Sequence, residues 1–237
     1  MNNVSDLFKQ TPHPKDVSDY YHVFNSSNIL NIIYWWEYFR EINFTDIKGD
    51  IVECGVGRGR SLIALSAINR LVGQYYSVPP KKIFALDSFE GFPEPTIYDE
   101  SKRNPQKGEW SKSPNNQFEY SPEAIQKILK TAELDVDIKF IKGFFDKTIP
   151  SLPVNKISIL HLDGDLFESV SFPLNSLWNK VSVGGVIVID DYLYDDKSTD
   201  DEAFPGARKA VIDFLKNNDC FDYLKSIRGT PYLKRVK

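Results

Sequence analysis

The sequence predicts an α/β protein: a mostly parallel sheet with helices on both faces, closed by an antiparallel hairpin at the C-terminus. Three observations carry this reading. Five short apolar runs, at 50–55, 81–88, 137–143, 155–165 and 184–192, alternate with segments whose apolar residues recur at helical spacing. The first run ends in Gly55, with Gly57 and Gly59 close behind, and such turns hold ligands in open parallel sheets. Two last runs, in FDYLKSIRGTPYLKRV, flank a Gly229-Thr230-Pro231 turn.

Composition bounds the answer further. The 237 residues carry 29 basic and 33 acidic side chains, a formal charge of −4. Hydrophobic residues at 41% and charged residues at 26% exclude collagen, long disorder and a coiled coil. The length allows one large domain or two small ones, and nothing repeats internally. A pI near 5.5 argues against holding nucleic acid by bulk charge, a local basic patch being left open. Cys54 and Cys220 are too few for a disulfide scaffold. The opening MNNVSDLFKQTPHPKD has no apolar signal core, and no run is long enough to cross a bilayer. A reduced, cytoplasmic setting without a membrane partner is the expectation.

The elements follow in order. Residues 1–24, with Pro12 and Pro14, read as a loose or docking arm in which His13 and His22 carry little signal. In SSNILNIIYWWEYFREI, Ser26 or Ser27 caps a helix whose Ile29, Ile32, Ile33, Trp36 and Phe39 share one face, leaving Trp35 off the stripe. Residues 1–47 thus form an arm and helix that pack on the body, meet substrate or make a dimer contact; 48–237 form the main domain. RGRSLIALSAINRLV is a helix and GQYYSVPP a loop behind it. SPEAIQKILKTAEL is a helix with Ser121 as N-cap and Pro122 in its first position. ESVSFPLNSLWNKV is a helix interrupted, or started late, by Pro173. PGARKAVIDFLKNN is the last helix. The irregular stretch 91–120 reads as a lid, or else as a plain disordered insertion. Its Trp110, Phe118 and Tyr120 form a sugar-stacking wall or ordinary loop anchors.

The chemistry concentrates at strand ends. Glu53-Cys54-Gly55-Val56-Gly57-Arg58-Gly59-Arg60 departs from the dinucleotide pattern G-x-G-x-x-G, because Arg60 stands at the third glycine. The pattern suits a nucleoside-like ligand without a pyrophosphate, and a turn that binds nothing is the alternative. Asp87, ending the second run, is placed to accept bonds from ribose hydroxyls or to cap a loop. Phe144 and Phe145, after Gly143, stack on an adenine or belong to the core.

The sharpest feature is acidic. His161-Leu162-Asp163-Gly164-Asp165 closes one run and Asp190-Asp191 the next. If these strands are neighbours, their ends lie about 5 Å apart. The crowded carboxylates then need protons or a cation, and all-oxygen ligands suit Mg²⁺. Consecutive strand residues face opposite ways, so at least one of Asp190 and Asp191 must lie beyond the strand end. His161, on the face of Asp163, is read as a core histidine.

The segments IVECGVGRGRS, FALDSFEGFP, KGFFDKTIPSLP, LHLDGDLFES, VGGVIVIDDY and PGARKAVIDF, spanning roughly 48–216, together resemble the macrocin O-methyltransferase (TylF-type) family. That family is S-adenosylmethionine- and Mg²⁺-dependent. The resemblance implies a class I methyltransferase (Rossmann-like) sheet. It implies that Glu53, Gly55, Gly57 and Ser61 line the donor turn, that Asp87 and Ser88 hold the ribose, and that Gly143 and Phe144 lie near the adenine. Asp163, which also borders the donor, matches a metal ligand together with Asp190 and Asp191. Asp165 matches a general base, with His161 as the other candidate, and Arg208 matches a structural arginine. The implied reaction is O-methylation of a small-molecule or glycan hydroxyl, on a sugar of a glycosylated metabolite or surface glycan, by a homodimer or higher oligomer. Arg58 and Arg60 depart from what the resemblance explains. A nicotinamide-dependent oxidoreductase and a non-catalytic binding module on the same fold are the rival readings.

Overall fold

The structure is a computed structural model that describes residues 26–44, 46–112, 119–135, 137–192 and 203–237, with the backbone alone at 26–30. The arm with Pro12, His13, Pro14 and His22, the Ile29 side chain and Phe118 lie outside the described residues.

Strands β1 (Asp50–Cys54), β2 (Ile83–Asp87), β3 (Ile138–Lys142), β4 (Ile157–Leu162), β5 (Val181–Ile189), β6 (Phe221–Lys225) and β7 (Pro231–Arg235) form one sheet. Its order is β3-β2-β1-β4-β5-β7-β6. The first five are parallel, and β7 runs antiparallel to both β5 and β6. The expected sheet and closing hairpin are therefore present. The helices are α1 (Ser26–Glu41), α2 (Arg60–Tyr76), α3 (Pro122–Thr131), α4 (Phe145–Thr148), α5 (Phe167–Leu177) and α6 (Pro205–Lys216).

Side chains alternate across the strands, so the sheet divides the core in two. One layer joins Ile51, Ile83, Ile159 and Val186 to α1, α2 and α3. The other joins Val52, Leu86, Leu160 and Ile187 to α5 and α6. Strand order reverses between β1 and β4, which is where an open parallel sheet leaves a crevice at its carboxyl edge.

Three local expectations are corrected. The buried face of α1 is Tyr34, Trp35, Tyr38, Phe39 and Ile42, while Ile32, Ile33 and Trp36 stand 37–43% exposed. The helix is apolar all round, so spacing alone could not choose a face. The aromatic side wins because it fills the space over β4, β5 and β7, with Tyr38 against Tyr232 and Trp35 against His161. Helix α2 runs on through Tyr76, past the point read as a loop. Gly73 permits this: it lets the chain fold back, with the Val78 N–H donating to the Gly73 carbonyl. Helix α5 starts at Phe167 and passes through Pro173 without interruption. Fully buried Val170 and Leu174 on either side of the proline outweigh its missing hydrogen bond.

Candidate active site

The glycine turn is shaped by what it must pass. Gly55 has φ 97°, and a Cβ there would run into the Asp163 carbonyl, so only glycine lets β1 cross the end of β4. Gly57 has open space around its Cβ position and leaves the cleft floor bare. Asp87 fastens this turn to β2. One of its oxygens accepts the Val56 and Gly57 N–H groups at 2.8 Å, and the other accepts the Phe89 N–H at 2.6 Å. Ser88 is buried and spends its hydroxyl on its own loop, donating to the Gly91 carbonyl and accepting from Glu90. Ser61 and Phe144 line the cleft. Glu53 and Gly143 do not. Glu53 is fully buried beneath the turn, 3.2 Å from His161 Nδ1, and Gly143 is held by its N–H to the Asp87 carbonyl. His161 is fully buried against Trp35 and faces away from the cleft.

Beyond β4 and β5 the acidic residues converge. Asp190 and Asp191 both lie past the end of β5, as Asp163 lies past the end of β4. One carboxylate oxygen from each of Asp163, Asp190 and Asp191 lies within 4.8 Å of the others. Burial, followed by the neighbouring acids, pushes the carboxyls of Asp163, Asp165 and Asp191 well above the ordinary range. Asp191 Oδ2 is buried and has no hydrogen-bond partner among the described residues. A set of hard oxygen donors with one orphaned atom fits a divalent cation. Asp165, 4% exposed, takes the left-handed conformation at φ 60° and bonds to Asp191. Arg228, at the tip of the β6–β7 hairpin, donates to Asp190 Oδ1 at 2.7 Å and lies 4.6 Å from the ring of Tyr34.

These groups border one cleft of about 1060 Å³, and residues from the 91–112 stretch form its far wall. That stretch is fixed by Asp99, a buried carboxylate. Asp99 Oδ1 accepts the Phe167 N–H at 2.7 Å, and Oδ2 accepts the Thr96 N–H and hydroxyl at 2.7 and 2.8 Å. It thereby ties the stretch to the first turn of α5, two residues from Asp165. Arg103 pairs with Glu109 at 2.8 Å and stands 5.3–5.9 Å from the rings of Phe92, Trp110 and Phe204. Trp110 is 54% exposed on the cleft, whereas Tyr120 is a buried anchor that also reaches it.

Sequence reasoning missed Asp99, Arg103 and Arg228. Asp99 did leave a signal: Thr96-Ile97-Tyr98-Asp99 is a capping-box pattern, and both of its bonds form. Nothing local marks Arg228, 38 residues from its partner. Arg208 is half-buried on α6 and does not line the cleft.

The geometry agrees with what comparison finds. The family model for macrocin O-methyltransferase (TylF) matches residues 35–231. The chain is 29% identical over 194 residues to demethyldecarbamoylnovobiocin O-methyltransferase of Streptomyces niveus, covering 81% of this chain and 68% of that protein. It is 31% identical over 188 residues to the 8-demethyl-8-(2,3-dimethoxy-alpha-L-rhamnosyl)-tetracenomycin-C 4'-O-methyltransferase of Streptomyces olivaceus, covering 78% and 64%. It thus spans about two thirds of the length of these relatives. The solved structure of the O-methyltransferase NovP superposes with a TM-score of 0.68 at 25% identity, over 88% of this chain and 81% of that one. A match running from α1 to the hairpin, through every strand that feeds the cleft, places this chain in the macrocin O-methyltransferase (TylF) family and makes it an S-adenosylmethionine-dependent O-methyltransferase.

Proposed function

We propose that the chain methylates a hydroxyl of a sugar, with Mg²⁺ held by Asp163, Asp190 and Asp191. The observation that carries this is the convergence of three carboxylate oxygens within 4.8 Å beside the glycine turn, one neighbouring oxygen being buried without a partner among the described residues. When bound there, the ion lowers the pKa of an alcohol and offsets the charge it leaves. The chain's own residues do the rest. Gly55 and Gly57 keep the cleft floor open to the donor, Asp87 and Ser88 border its ribose, and Phe144 offers a face to its adenine. Asp165, held next to Asp191 in a water-poor corner, takes the proton of the acceptor hydroxyl as its oxygen accepts the methyl group. The donor leaves as a neutral thioether. Alignment of the two substrates across the cleft supplies much of the acceleration.

A sugar acceptor is supported by the exposed Trp110, which lines the same cleft as the carboxylates, and by the rhamnosyl group in the name of the Streptomyces olivaceus relative. The 91–120 stretch is the lid in this reading. The exposed Ile32, Ile33 and Trp36 face of α1 is the contact for a homodimer or higher oligomer, and the setting is cytoplasmic. The test is methyl transfer to a panel of glycosides, before and after thorough chelation, in the wild type and in Asp163→Ala and Asp191→Ala. Loss on chelation, recovery with Mg²⁺ and near-complete loss in both variants are expected. Activity that survives all three treatments would sink the metal role.

A further inference from the structure

The 91–112 stretch presents one open ring to the cleft, and the packing behind that ring is unusually complete. Trp110 is the most exposed aromatic among the described residues that border the cleft, whereas Phe92 and Tyr120, which border it too, are 7% and 9% exposed. Its backbone sits at φ 64°, the left-handed region that a bulky residue enters only where its surroundings force it. Here they do. Phe92 donates to the Glu109 carbonyl and accepts from the Gly108 N–H, both at 3.0 Å. The indole leans on Phe92 at 5.5 Å and on Phe204 at 5.9 Å, and the Arg103 guanidinium stands 5.5 Å from it. Glu109, the preceding residue, pins that guanidinium at 2.8 Å.

The same cluster fixes where the ring stands. Phe92 and Phe204 pack with Leu166, which is 1% exposed and follows Asp165 in the chain. Arg103 is close enough to oppose the rise that burial and then Asp163 impose on the Asp165 carboxyl. The indole is thus one packed layer away from the residue read as general base. An indole face is electron-rich and apolar. A pyranose has the matching shape: a face of slightly positive C–H groups bounded by hydroxyls. Glu94, Lys107 and Lys112 border the cleft from the same stretch and supply a polar rim for those hydroxyls. A planar aromatic acceptor is matched less well, because the neighbouring Phe92 and Tyr120 are too buried to close on its second face.

We propose that Trp110 is the specificity-determining residue for the acceptor: the C–H face of a pyranose lies on its indole beside Asp165, and Arg103 is the positioning residue that holds the indole there. The proposal rests on the reading of the cleft as a sugar O-methylation site and names the part of it that meets the sugar.

The experiment is saturation-transfer NMR on the full chain in EDTA, saturated with S-adenosylhomocysteine. The probes are the methyl glycosides of rhamnose, galactose and glucose, with catechol as a planar comparator. Expected is binding of at least one glycoside, with transfer strongest to the C–H protons of one face of its ring. Trp110→Ala should weaken that binding roughly tenfold, Trp110→Phe by less, and Tyr75→Ala, outside the cleft, not at all. Arg103→Met should weaken it about threefold. The double variant Arg103→Met, Trp110→Ala should bind no more weakly than Trp110→Ala alone, because the arginine acts through the indole; a merely structural role would add its own loss. Circular dichroism and S-adenosylhomocysteine affinity establish that the variants are folded and donor-competent. Wild-type binding in Trp110→Ala, or equal transfer to both faces of the sugar, overturns the platform and leaves the sugar reading standing. A matching loss of S-adenosylhomocysteine affinity also overturns it and would assign Trp110 to the donor. Additive losses in the double variant overturn the role given to Arg103. Binding of catechol alone, or of no glycoside, overturns the platform and the sugar reading together. The absence of a metal from every arm keeps these results independent of the chelation test.

Discussion

Replacing Asp99 by alanine tests how the far wall of the cleft is held. Its carboxylate is 2% exposed and receives three hydrogen bonds of 2.7–2.8 Å, one from the first residue of α5 and two from Thr96. It sits at the positive end of α5, where a negative charge is favoured. Gly206 of α6 also packs directly on it, with no room for a Cβ. Hydrogen bonds to a charged acceptor contribute about 1.5–3 kcal/mol each. Thr96 is half-exposed and water can serve its donors, so the three together are worth about 3–5 kcal/mol. Against a domain stability of about 5–15 kcal/mol, that is a large fraction. The assay pairs urea denaturation with limited trypsin digestion, read at the exposed Lys102 and Lys107. Asp99→Ala should lower the unfolding free energy by that amount and speed cleavage at both lysines. Asp99→Asn keeps the shape but turns one acceptor into a donor, so about half the loss is expected. Asp99→Ala within about 0.5 kcal/mol of the wild type, digested no faster, would refute the reasoning.

Two further outcomes follow from buried titrating groups. The cluster carboxyls are raised in the folded state, so across the range above the ordinary carboxylate pKa the folded protein holds protons that the unfolded chain has lost, and stability falls as pH rises. A divalent cation offsets that loss, so the thermal shift produced by Mn²⁺ should be near zero at pH 5, grow towards pH 8, and vanish in Asp163→Asn; a pH-independent shift would contradict this. Lys81 donates to the Ile47 carbonyl at 2.7 Å, and burial lowers its pKa to about 8. The unfolded chain keeps this proton up to about pH 10.4, so between these values the wild type should gain about 2 kcal/mol relative to Lys81→Met, after discounting for partial exposure. Parallel pH profiles for the two proteins in urea unfolding would show the Lys81 argument to be mistaken.

The legible part of this fold was what period and punctuation encode. The five apolar runs marked β1 to β5, because a strand covered on both faces, as β1, β2 and β4 are, needs a nearly continuous apolar run, even though Glu53, Lys139 and the Gly184-Gly185 pair lie inside strands. The Asp163, Asp190 and Asp191 grouping was legible for the same reason: neighbouring parallel strands bring their ends together whatever lies between them in sequence. Helix faces were less legible. In α1 the apolar residues go all the way round, so only the shape of the space over β4, β5 and β7 decides that Trp35 is buried and Trp36 is not. The role of Glu53 was hidden too. A carboxylate at a strand end reads as a ligand group, but one strand position inward it is buried and satisfied in part by His161. Asp99 was readable as a cap, though its second bond, to Phe167 across 68 residues, was not.

Arg228 shows how the N-terminal helix bears on the chemistry. The hairpin that carries it is clamped to α1 at three points, two of them at its tip. Glu37 accepts the Ile227 N–H at 2.9 Å, Tyr34 shares a hydrogen bond with Thr230 at 3.2 Å, and Glu41 pairs with Lys234 at 3.1 Å. The ring of Tyr34 then backs the Arg228 guanidinium as it reaches Asp190. Helix α1 and the hairpin come from opposite ends of the described chain, yet between them they fix one of the three carboxylates. An exposed ion pair of this kind would contribute little. Here the arginine is only about a quarter exposed and braced by an aromatic face, so its position is set by packing as well as by charge. The aromatic face of α1 that packs on the sheet thus also braces the hairpin, and Tyr34 links α1 to Asp190 through Arg228.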